Sequence, residues 1–299
     1  MSDKWNHKII ERIQDRKIKK APNISFEFFP PKTPNAEQSF WETVHKLEKL
    51  SPKYVSVTYG AGGTTRERTR NTLLDFLKKT KLSPASHLTC IGASKTEINN
   101  ILQDYWDNNI KHIVALMGDL PEGYIHPDDG YNSTPELISG IKKIANFKVS
   151  VGGYPELHPK SKHWQDDIDS LREKIESGAN RVITQFFFDN EKYYIFLDRL
   201  AKYNLDVEIV PGILPINNYE LMVKFATQCG SFIPDHIHDL FQNGPKTPEY
   251  QKMVALYLAA EQCANLHDQG VKNFHFYTMN QAELPLAISR ILGVKYQSN

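Results

Sequence analysis

The stretch "ISFEFFP" at residues 24–30 sets one glutamate among aromatic residues and ends on the first of two prolines. Isoleucine and phenylalanine favour a strand, and Pro30 and Pro31 mark its end because proline cannot continue a ladder of hydrogen bonds. A carboxylate at the end of an apolar strand is costly to bury without a partner. The position of Glu27 therefore indicates that other groups meet it at this strand end.

Seven further runs of this kind follow, and segments with helical patterns separate them. Most successive runs start 26 to 36 residues apart, which is the length of one β-loop-α unit. Eight such units predict a (β/α)8 TIM barrel, with a doubly wound open sheet as the alternative. The seven runs are "YVSVTYG" (54–60), "SHLTCI" (86–91), "HIVALMGD" (112–119), "KVSVGGYP" (148–155), "RVITQFFFD" (181–189), "EIVPGILP" (208–215) and "NFHFYTM" (273–279).

Capping residues locate several of the intervening helices. One helix starts near Asn35, another is capped by Ser133 or Thr134, and a third ends at Gly178, where a C-terminal glycine belongs. The longer gap at 216–272 has room for two or three helices.

Composition narrows the class of protein. The 299 residues carry 36 Lys plus Arg against 35 Asp plus Glu, so no charge excess points to nucleic acid. Residues 1–20 form a charged segment that predicts a short amphipathic helix and lacks the apolar core of a signal peptide. The longest apolar run, 253–260, is too short to span a membrane, and three scattered cysteines indicate neither a disulfide framework nor a zinc site. We expect a single domain, 1–299, in the cytoplasm.

The carboxyl ends of the strands are where barrel enzymes place their chemistry. Two carboxylates, Glu27 and Asp119, fall there with Gln185, several aromatic residues and a glycine-rich turn. No strand ends in lysine, the first strand carries no HxH, and no GxSxG motif occurs, which disfavours Schiff-base, metal-dependent and serine-hydrolase chemistry. The remaining groups suit proton transfer beside a flat cofactor or substrate, with no metal.

The glycine-rich turn "GAGG" at 60–63 follows a strand but is not a dinucleotide fingerprint. The third glycine of that motif is missing, and no acidic residue ends the next strand. The turn is either a simple tight turn or a loop whose backbone amides meet an anion or the edge of a flavin.

Eight segments in order resemble the methylenetetrahydrofolate reductase family, short bacterial type: "SFEFFPPKT", "VSVTYGAGGTTRERT", "HLTC", "HIVALMGDLP", "VGGYPELHP", "GANRVITQFFFD", "VEIVPGILPI" and "FHFYTMN". The resemblance implies a (β/α)8 barrel that binds FAD without a Rossmann motif. It implies reduction of 5,10-methylenetetrahydrofolate to 5-methyltetrahydrofolate by NADH or NADPH, which supplies methyl groups for methionine synthesis. It also implies a homo-oligomer, a tetramer in such relatives, and no extra C-terminal domain.

The resemblance assigns Glu27 the role of general acid. The five-membered ring of the substrate must open before it accepts hydride, and the leaving nitrogen needs a proton to do so. Because aromatic neighbours solvate a carboxylate poorly, we expect the pKa of Glu27 to be raised.

The resemblance also implies binding residues. Asp119 hydrogen-bonds the folate ring and tunes the flavin, Gln185 contacts folate and nicotinamide in turn, and Phe225 stacks on either ligand. Gln281 stands where some relatives have an arginine that could meet the folate tail, and Met117 likewise replaces an arginine near the flavin. The flavin-contacting positions are Thr58, Tyr59, Ala61, His87, Gly118, Asp119, Tyr131, Asn132, Tyr154, His158 and Lys174.

Two other functions remain open from the residues alone. A related FAD barrel that oxidises an amine such as proline would bind the same cofactor but would not need Glu27. A non-catalytic binding protein that kept the fold would have no need of Glu27, Asp119 and Gln185 together.

Overall fold

The structure, a computed structural model, describes residues 20–59, 66–118, 123 and 126–296. Apart from Lys20, the helix expected at residues 1–20 lies outside the described residues, as do Ala61 and Asp119 of the expected site. The expectation that all of 1–299 forms one domain stays a prediction.

The described residues contain nine strands that pair in parallel with their neighbours, in the order β7-β6-β5-β4-β3-β2-β1-β9-β8. Every strand expected from the sequence is present. The strands are β1 (Asn23–Phe28), β2 (Val55–Val57), β3 (Pro84–Thr89), β4 (His112–Leu116), β5 (Lys148–Gly153), β6 (Arg181–Thr184), β7 (Glu208–Val210), β8 (Gly212–Ile213) and β9 (Asn273–Tyr277).

The seventh expected strand is divided at Pro211 into β7 and β8. Proline lacks the N–H that would continue the ladder, so the strand changes partner at this point. β7 pairs with β6, whereas β8 pairs with β9, and the Pro211 carbonyl accepts a hydrogen bond from the His275 N–H. The divided strand thus joins the two ends of the sheet. The fold is a (β/α)8 barrel, and the open-sheet alternative is wrong.

Ten helices are present in the described residues, and three of them, α7, α8 and α9, fill the gap at 216–272. Ser133 is the N-cap of α4, its hydroxyl accepting a hydrogen bond from Glu136 N–H, and Gly178 follows the end of α5 with φ +114°. The helices are α1 (Pro34–Glu48), α2 (Arg66–Lys79), α3 (Lys95–Asp107), α4 (Thr134–Ile144), α5 (Trp164–Glu176), α6 (Asn190–Lys202), α7 (Tyr219–Cys229), α8 (Asp235–Gln242), α9 (Pro248–Asp268) and α10 (Glu283–Ile291).

Alternation along β1 separates the two faces of the barrel wall. Phe28 points outward, where its ring centroid lies 5.6 Å from that of Phe40 on α1 and 5.8 Å from that of Phe76 on α2. Successive strand residues face opposite sides, so Ser25 and Glu27 face the interior of the barrel. The outer layer is therefore apolar, while the interior carries polar groups.

Rings from β4, from β9 and from the residue just before β2 pack together in the barrel interior. Tyr54 packs edge-on against His112 at 4.7 Å and stacks on His275 at 5.7 Å, as measured between ring centroids. The Arg181 guanidinium lies over Tyr54 and forms an ion pair with Glu208, with Nε and Oε2 2.7 Å apart. This filled layer leaves the carboxyl ends of the strands as the place where a cavity can open.

No helix within the described residues is long and apolar enough to cross a membrane. Across that same part of the chain, no group of three or more His, Cys, Asp or Glu side chains is arranged to hold a metal ion.

Candidate active site

A cavity of about 310 Å³ opens at the carboxyl ends of the strands. Five of the residues singled out in the sequence line it: Glu27, His87, Tyr154, Gln185 and Phe225. Its other lining residues are Phe29, Val114, Leu116, Gly152, Gly153, Ile183, Phe186, Leu214, Tyr277 and Met279. A larger cavity of about 870 Å³ lies against α8 and α9, but none of the expected site residues lines it. The smaller cavity is therefore the candidate active site.

Glu27 lies between two imidazoles. Its Oε2 is 3.2 Å from His87 Nε2 and 3.7 Å from His275 Nε2, and the three side chains are 14%, 10% and 0% exposed, respectively. On the far side of the His275 ring, Nδ1 lies 2.8 Å from Ser25 Oγ. The carboxylate thus meets buried groups that can exchange protons with it.

The electrostatics of Glu27 differ from the expectation. Burial raises the pKa of Glu27, but the charge of His87 and the interactions with His275 outweigh burial, and the pKa falls from its ordinary value of 4.5 to about 2. The prediction of a raised pKa is wrong because the flanking Phe26 and Phe28 face outward, whereas imidazoles surround the carboxylate. Burial also lowers the pKa of His275, and Glu27 opposes that shift only in part.

Gln185 and Phe225 also line the cavity, from the end of β6 and from α7. The Gln185 backbone N–H donates to the Gly153 carbonyl at 2.7 Å, and its Oε1 accepts from the Phe186 N–H at 3.0 Å. The side-chain nitrogen of Gln185 has no hydrogen-bond partner among the described residues, so it is the group left for a ligand. Phe225, on α7, is half-buried and presents a ring that a flat ligand can stack on.

The ends of β2 to β5 carry most of the expected flavin-contacting residues, and the structure offers suitable groups there. The Thr89 hydroxyl is buried with no hydrogen-bond partner in the described part of the chain. Gly118 has φ +91°, and a Cβ there would come within 3.0 Å of the Thr89 Cβ, so only glycine lets the chain pass so close. An unpaired buried hydroxyl and a glycine that allows close approach fit a bound flavin.

Lys174 offers a place for the anionic part of such a cofactor. Burial lowers the pKa of Lys174, and its ammonium makes no hydrogen bond or ion pair with the residues that the structure describes. Its charge in turn contributes to lowering the pKa of His158, after burial, and the His158 ring packs edge-on against Tyr154 at 4.4 Å. Asp167 and Glu173 offset the effect of burial only in part, and a half-buried cation with no hydrogen bond or ion pair in the described part of the chain fits a phosphate ligand.

Other expected residues lie at or beyond the edge of the cavity. Thr58 follows β2 and its N–H donates to the Phe28 carbonyl at 2.9 Å, while burial raises the pKa of the adjacent Tyr59 to about 12. Tyr131 is buried, and its hydroxyl donates to Asn99 Oδ1 at 2.8 Å. Asn132 and Gln281 are exposed and do not line the cavity, nor does Met117, which is 37% exposed. The roles expected for these residues stay predictions.

His275, Tyr277 and Phe29 belong to the site but were missed in the sequence. A usable signal exists: Glu27 is the register partner of Tyr277, and Ser25 of His275, because the last strand of a closed barrel pairs with the first. Reading every second residue of "NFHFYTM" would therefore have placed His275 and Tyr277 beside Glu27.

Known proteins are similar to this chain over most of its length. A protein-family model described as Methylenetetrahydrofolate reductase matches residues 11–293. The chain is 46% identical over 273 residues to 5,10-methylenetetrahydrofolate reductase of Pectobacterium carotovorum subsp. carotovorum and 45% identical over 273 residues to that of Escherichia coli (strain K12). Each alignment covers 91% of this chain and 91% of the relative.

A solved structure also resembles the fold. It is an uncharacterized protein from Clostridium thermocellum that binds two copies of 5-methyl-5,6,7,8-tetrahydrofolic acid, with a TM-score of 0.61 and 16% sequence identity. The match covers 96% of this chain and 99% of that one. At this identity the likeness concerns the fold alone.

Proposed function

Because the chain belongs to the methylenetetrahydrofolate reductase family, we propose that it reduces 5,10-methylenetetrahydrofolate to 5-methyltetrahydrofolate with NADH or NADPH, through FAD. Membership makes the chain an oxidoreductase, and a reductase requires a redox cofactor. The observation that carries the proposal is Glu27, held 3.2 Å from His87 in a cavity that Gln185 and Phe225 also line.

The proposed cofactor site runs along the ends of β2 to β5. Thr58, His87 and Gly118 would contact the ring system, and Lys174 would meet a phosphate. When bound, FAD would take hydride from the nicotinamide and pass it to the folate. His87 lines the cavity and lies 3.2 Å from the carboxylate, so it would lie between the cofactor and the acid.

Proton delivery is the part played by Glu27. With a pKa of about 2, the carboxylate is ionised near neutral pH in the open site, so it must gain a proton before it acts as an acid. His87 Nε2 is within reach of Glu27 Oε2 to supply one. A ligand that covers the cavity excludes water, which raises the cost of the charged carboxylate and favours transfer of the proton to Glu27. Glu27 would then protonate the leaving nitrogen of the folate ring.

One cavity serves both ligands in this proposal. Its volume of about 310 Å³ is near the lower limit for a small-molecule site, which favours binding of nicotinamide and pterin one after the other. Gln185 and Phe225 would contact each in turn. We therefore expect ping-pong kinetics, with parallel lines in initial-rate plots. Intersecting lines would mean that both substrates bind together and would contradict this proposal.

The first experiment is an anaerobic spectral titration of the purified protein. We expect yellow colour that bleaches on addition of NADH and returns on addition of methylenetetrahydrofolate. Bleaching without return would move the substrate elsewhere, as in an amine-oxidising flavoprotein. A protein that shows no flavin spectrum, even after reconstitution with FAD, would contradict the proposal.

The Glu27→Gln variant separates the two half-reactions. We expect the folate half-reaction to slow by about 10²- to 10⁴-fold, the usual contribution of a general acid, because glutamine cannot donate a carboxyl proton. Flavin reduction by NADH needs no such proton and should stay within a few-fold of the parent. Equal folate rates in the two proteins would remove Glu27 from this role.

The cellular location, assembly and physiological role of the enzyme follow from the family by analogy. We propose a cytoplasmic homo-oligomer, a tetramer by analogy with the family, that acts on small molecules and supplies methyl groups for methionine synthesis. Sedimentation at several protein concentrations tests the assembly, and a monomer at all concentrations would contradict it. Growth of a methionine auxotroph that lacks this reductase tests the physiological role, and failure to restore growth would count against it.

A further inference from the structure

An unusual turn follows the last strand of the barrel. Met279 and Asn280 are consecutive non-glycine residues in the left-handed region, with φ of 50° and 56°. Asparagine tolerates this conformation, whereas methionine adopts it at a cost, and such strain persists only where surrounding contacts enforce it. Met279 also lines the candidate active site. The turn is therefore held in place by specific contacts.

The side chain of Asn280 makes two of these contacts with a single residue of the first strand. Its Oδ1 accepts a hydrogen bond from the Phe29 N–H at 2.9 Å, and its Nδ2 donates to the Phe29 carbonyl at 2.9 Å. The regular ladder between β1 and β9 ends at Glu27 and Tyr277. The amide of Asn280 thus adds one pair of hydrogen bonds beyond the end of the ladder.

Thr278 binds the backbone of Glu27, which lies on the other side of Phe28 from Phe29. Its hydroxyl donates to the Glu27 carbonyl at 2.6 Å and accepts from the Asn280 N–H at 3.1 Å. The Asn280 carbonyl in turn accepts from the Thr43 hydroxyl at 3.2 Å. Backbone groups of both Glu27 and Phe29 are therefore tied to the turn at Thr278–Asn280.

The hydrogen bonds from Asn280 to Phe29 replace strand pairing that the next two residues cannot make. The residues after Phe29 are Pro30 and Pro31, which have no N–H and cannot continue pairing with a neighbouring strand. Phe28 is still held through its carbonyl, which accepts from the Thr58 N–H at 2.9 Å, so Asn280 supplies the restraint at the next residue, Phe29. Phe29, which lines the cavity and is 40% exposed, would lose both of its backbone partners.

We propose that Asn280 is a positioning residue, which holds the end of β1 so that the Glu27 carboxylate stays against His87 at the floor of the cavity. The inference rests on the proposed function, because it assigns Asn280 to the step that Glu27 carries out. Asn280 acts through the Phe29 backbone and not through the reacting atoms.

Asn273 provides a matched control for an Asn280→Ala test. It is also an asparagine of the β9 region that bonds across to the first strand, accepting from Asn23 Nδ2 at 2.9 Å, but it lies at the opposite end of the barrel. We expect Asn280→Ala to slow the folate half-reaction by about 10- to 100-fold, the effect of a small misplacement of a catalytic group. Flavin content and the NADH half-reaction should change less than about twofold, and Asn273→Ala should leave all three unchanged.

Two results would overturn the proposal. An unchanged folate half-reaction in Asn280→Ala would show that Glu27 does not depend on this residue. Equal losses in both half-reactions, with loss of flavin, would show a structural role only. If Asn280→Ala does not fold, Asn280→Asp keeps the acceptor for the Phe29 N–H and removes the donor, and it should show a smaller loss confined to the folate half-reaction.

Hydrogen exchange provides a measurement that does not depend on the reaction. The Phe29 amide should be protected in the parent and in Asn273→Ala but should exchange faster in Asn280→Ala, and continued protection would overturn the attachment. A parent protein that fails to turn over folate would refute the proposed function, while the exchange data would still test the attachment.

Discussion

Gly212 allows a sharp test of how tightly β8 packs into the barrel. A Cβ added there would lie 2.2 Å from the Thr184 carbonyl oxygen and 2.6 Å from Cε2 of Tyr277. The Tyr277 hydroxyl donates to the same carbonyl at 2.7 Å. Because a backbone oxygen cannot swing away, Gly212→Ala must displace the Tyr277 ring or separate β8 from its neighbour.

The cost of Gly212→Ala has two parts. Overpacking a tight interior costs about 1–3 kcal/mol, and leaving a buried carbonyl without its hydrogen bond costs about 1–3 kcal/mol. The expected loss is therefore roughly 2–6 kcal/mol. At an unfolding entropy of about 2.1 cal/mol/K per residue for a chain of this length, the melting temperature should fall by roughly 3–10 °C.

Gly152→Ala is the matched control, because Gly152, like Gly212, is a strand glycine. A Cβ there would meet only Leu116 Cδ2, at 3.9 Å, which is an ordinary contact. We expect its melting temperature to stay within about 2 °C of the parent. Circular dichroism during heating gives the melting temperatures of the parent, Gly212→Ala and Gly152→Ala. If Gly212→Ala melts together with Gly152→Ala, the argument from close packing at β8 is refuted.

Three further predictions concern buried titratable groups. Burial lowers the pKa of His112 from 6.5 to about 3. Between these pH values the unfolded chain binds a proton at His112 that the folded chain does not bind. The free energy of unfolding should therefore fall by up to ~1.4 kcal/mol per pH unit from pH 6.5 down to 3. The denaturant midpoint of His112→Gln should fall less steeply with decreasing pH than that of the parent. An unchanged slope would show that His112 does not cause the loss of stability. Lys174→Met should weaken FAD binding by about tenfold or more, as seen by flavin fluorescence, whereas Lys174→Arg should retain it; equal affinities would exclude a phosphate contact. Burial raises the pKa of Cys90 to about 12 and also that of Cys263, so a thiol reagent should label the less buried Cys229 first, and equal rates at all three would contradict this.

The barrel could be predicted because its strands carry a strong local signal. Runs such as "KVSVGGYP" and "RVITQFFFD" are rich in β-branched and aromatic residues, and their spacing leaves room for one helix each. The division of the seventh strand was not predicted, although Pro211 was visible. Its effect depends on which strand lies on each side, and local sequence does not contain that information.

The environment of Glu27 shows the limit of reading neighbours along the chain. Phe26 and Phe28 are adjacent to it in sequence, yet alternation sends their rings to the opposite face of the strand. The residues that set its pKa, His87 and His275, come from β3 and β9. A correct expectation required the pairing of first and last strands, after which the alternation would have placed His275 next to the carboxylate.

The pairing of β1 with β9 also has a consequence for biosynthesis. Glu27 and the residues that hold it, from His275 to Asn280, are separated by most of the chain, so the ribosome needs roughly 10–50 s to make the second group after the first. During that interval β1 has β2 on one side only and presents an open edge, the kind of surface that invites aggregation. Contacts between such distant segments also slow folding. The nascent chain therefore has no working acid until its last strand closes the barrel, and chaperones that shield exposed edges would matter most in that interval.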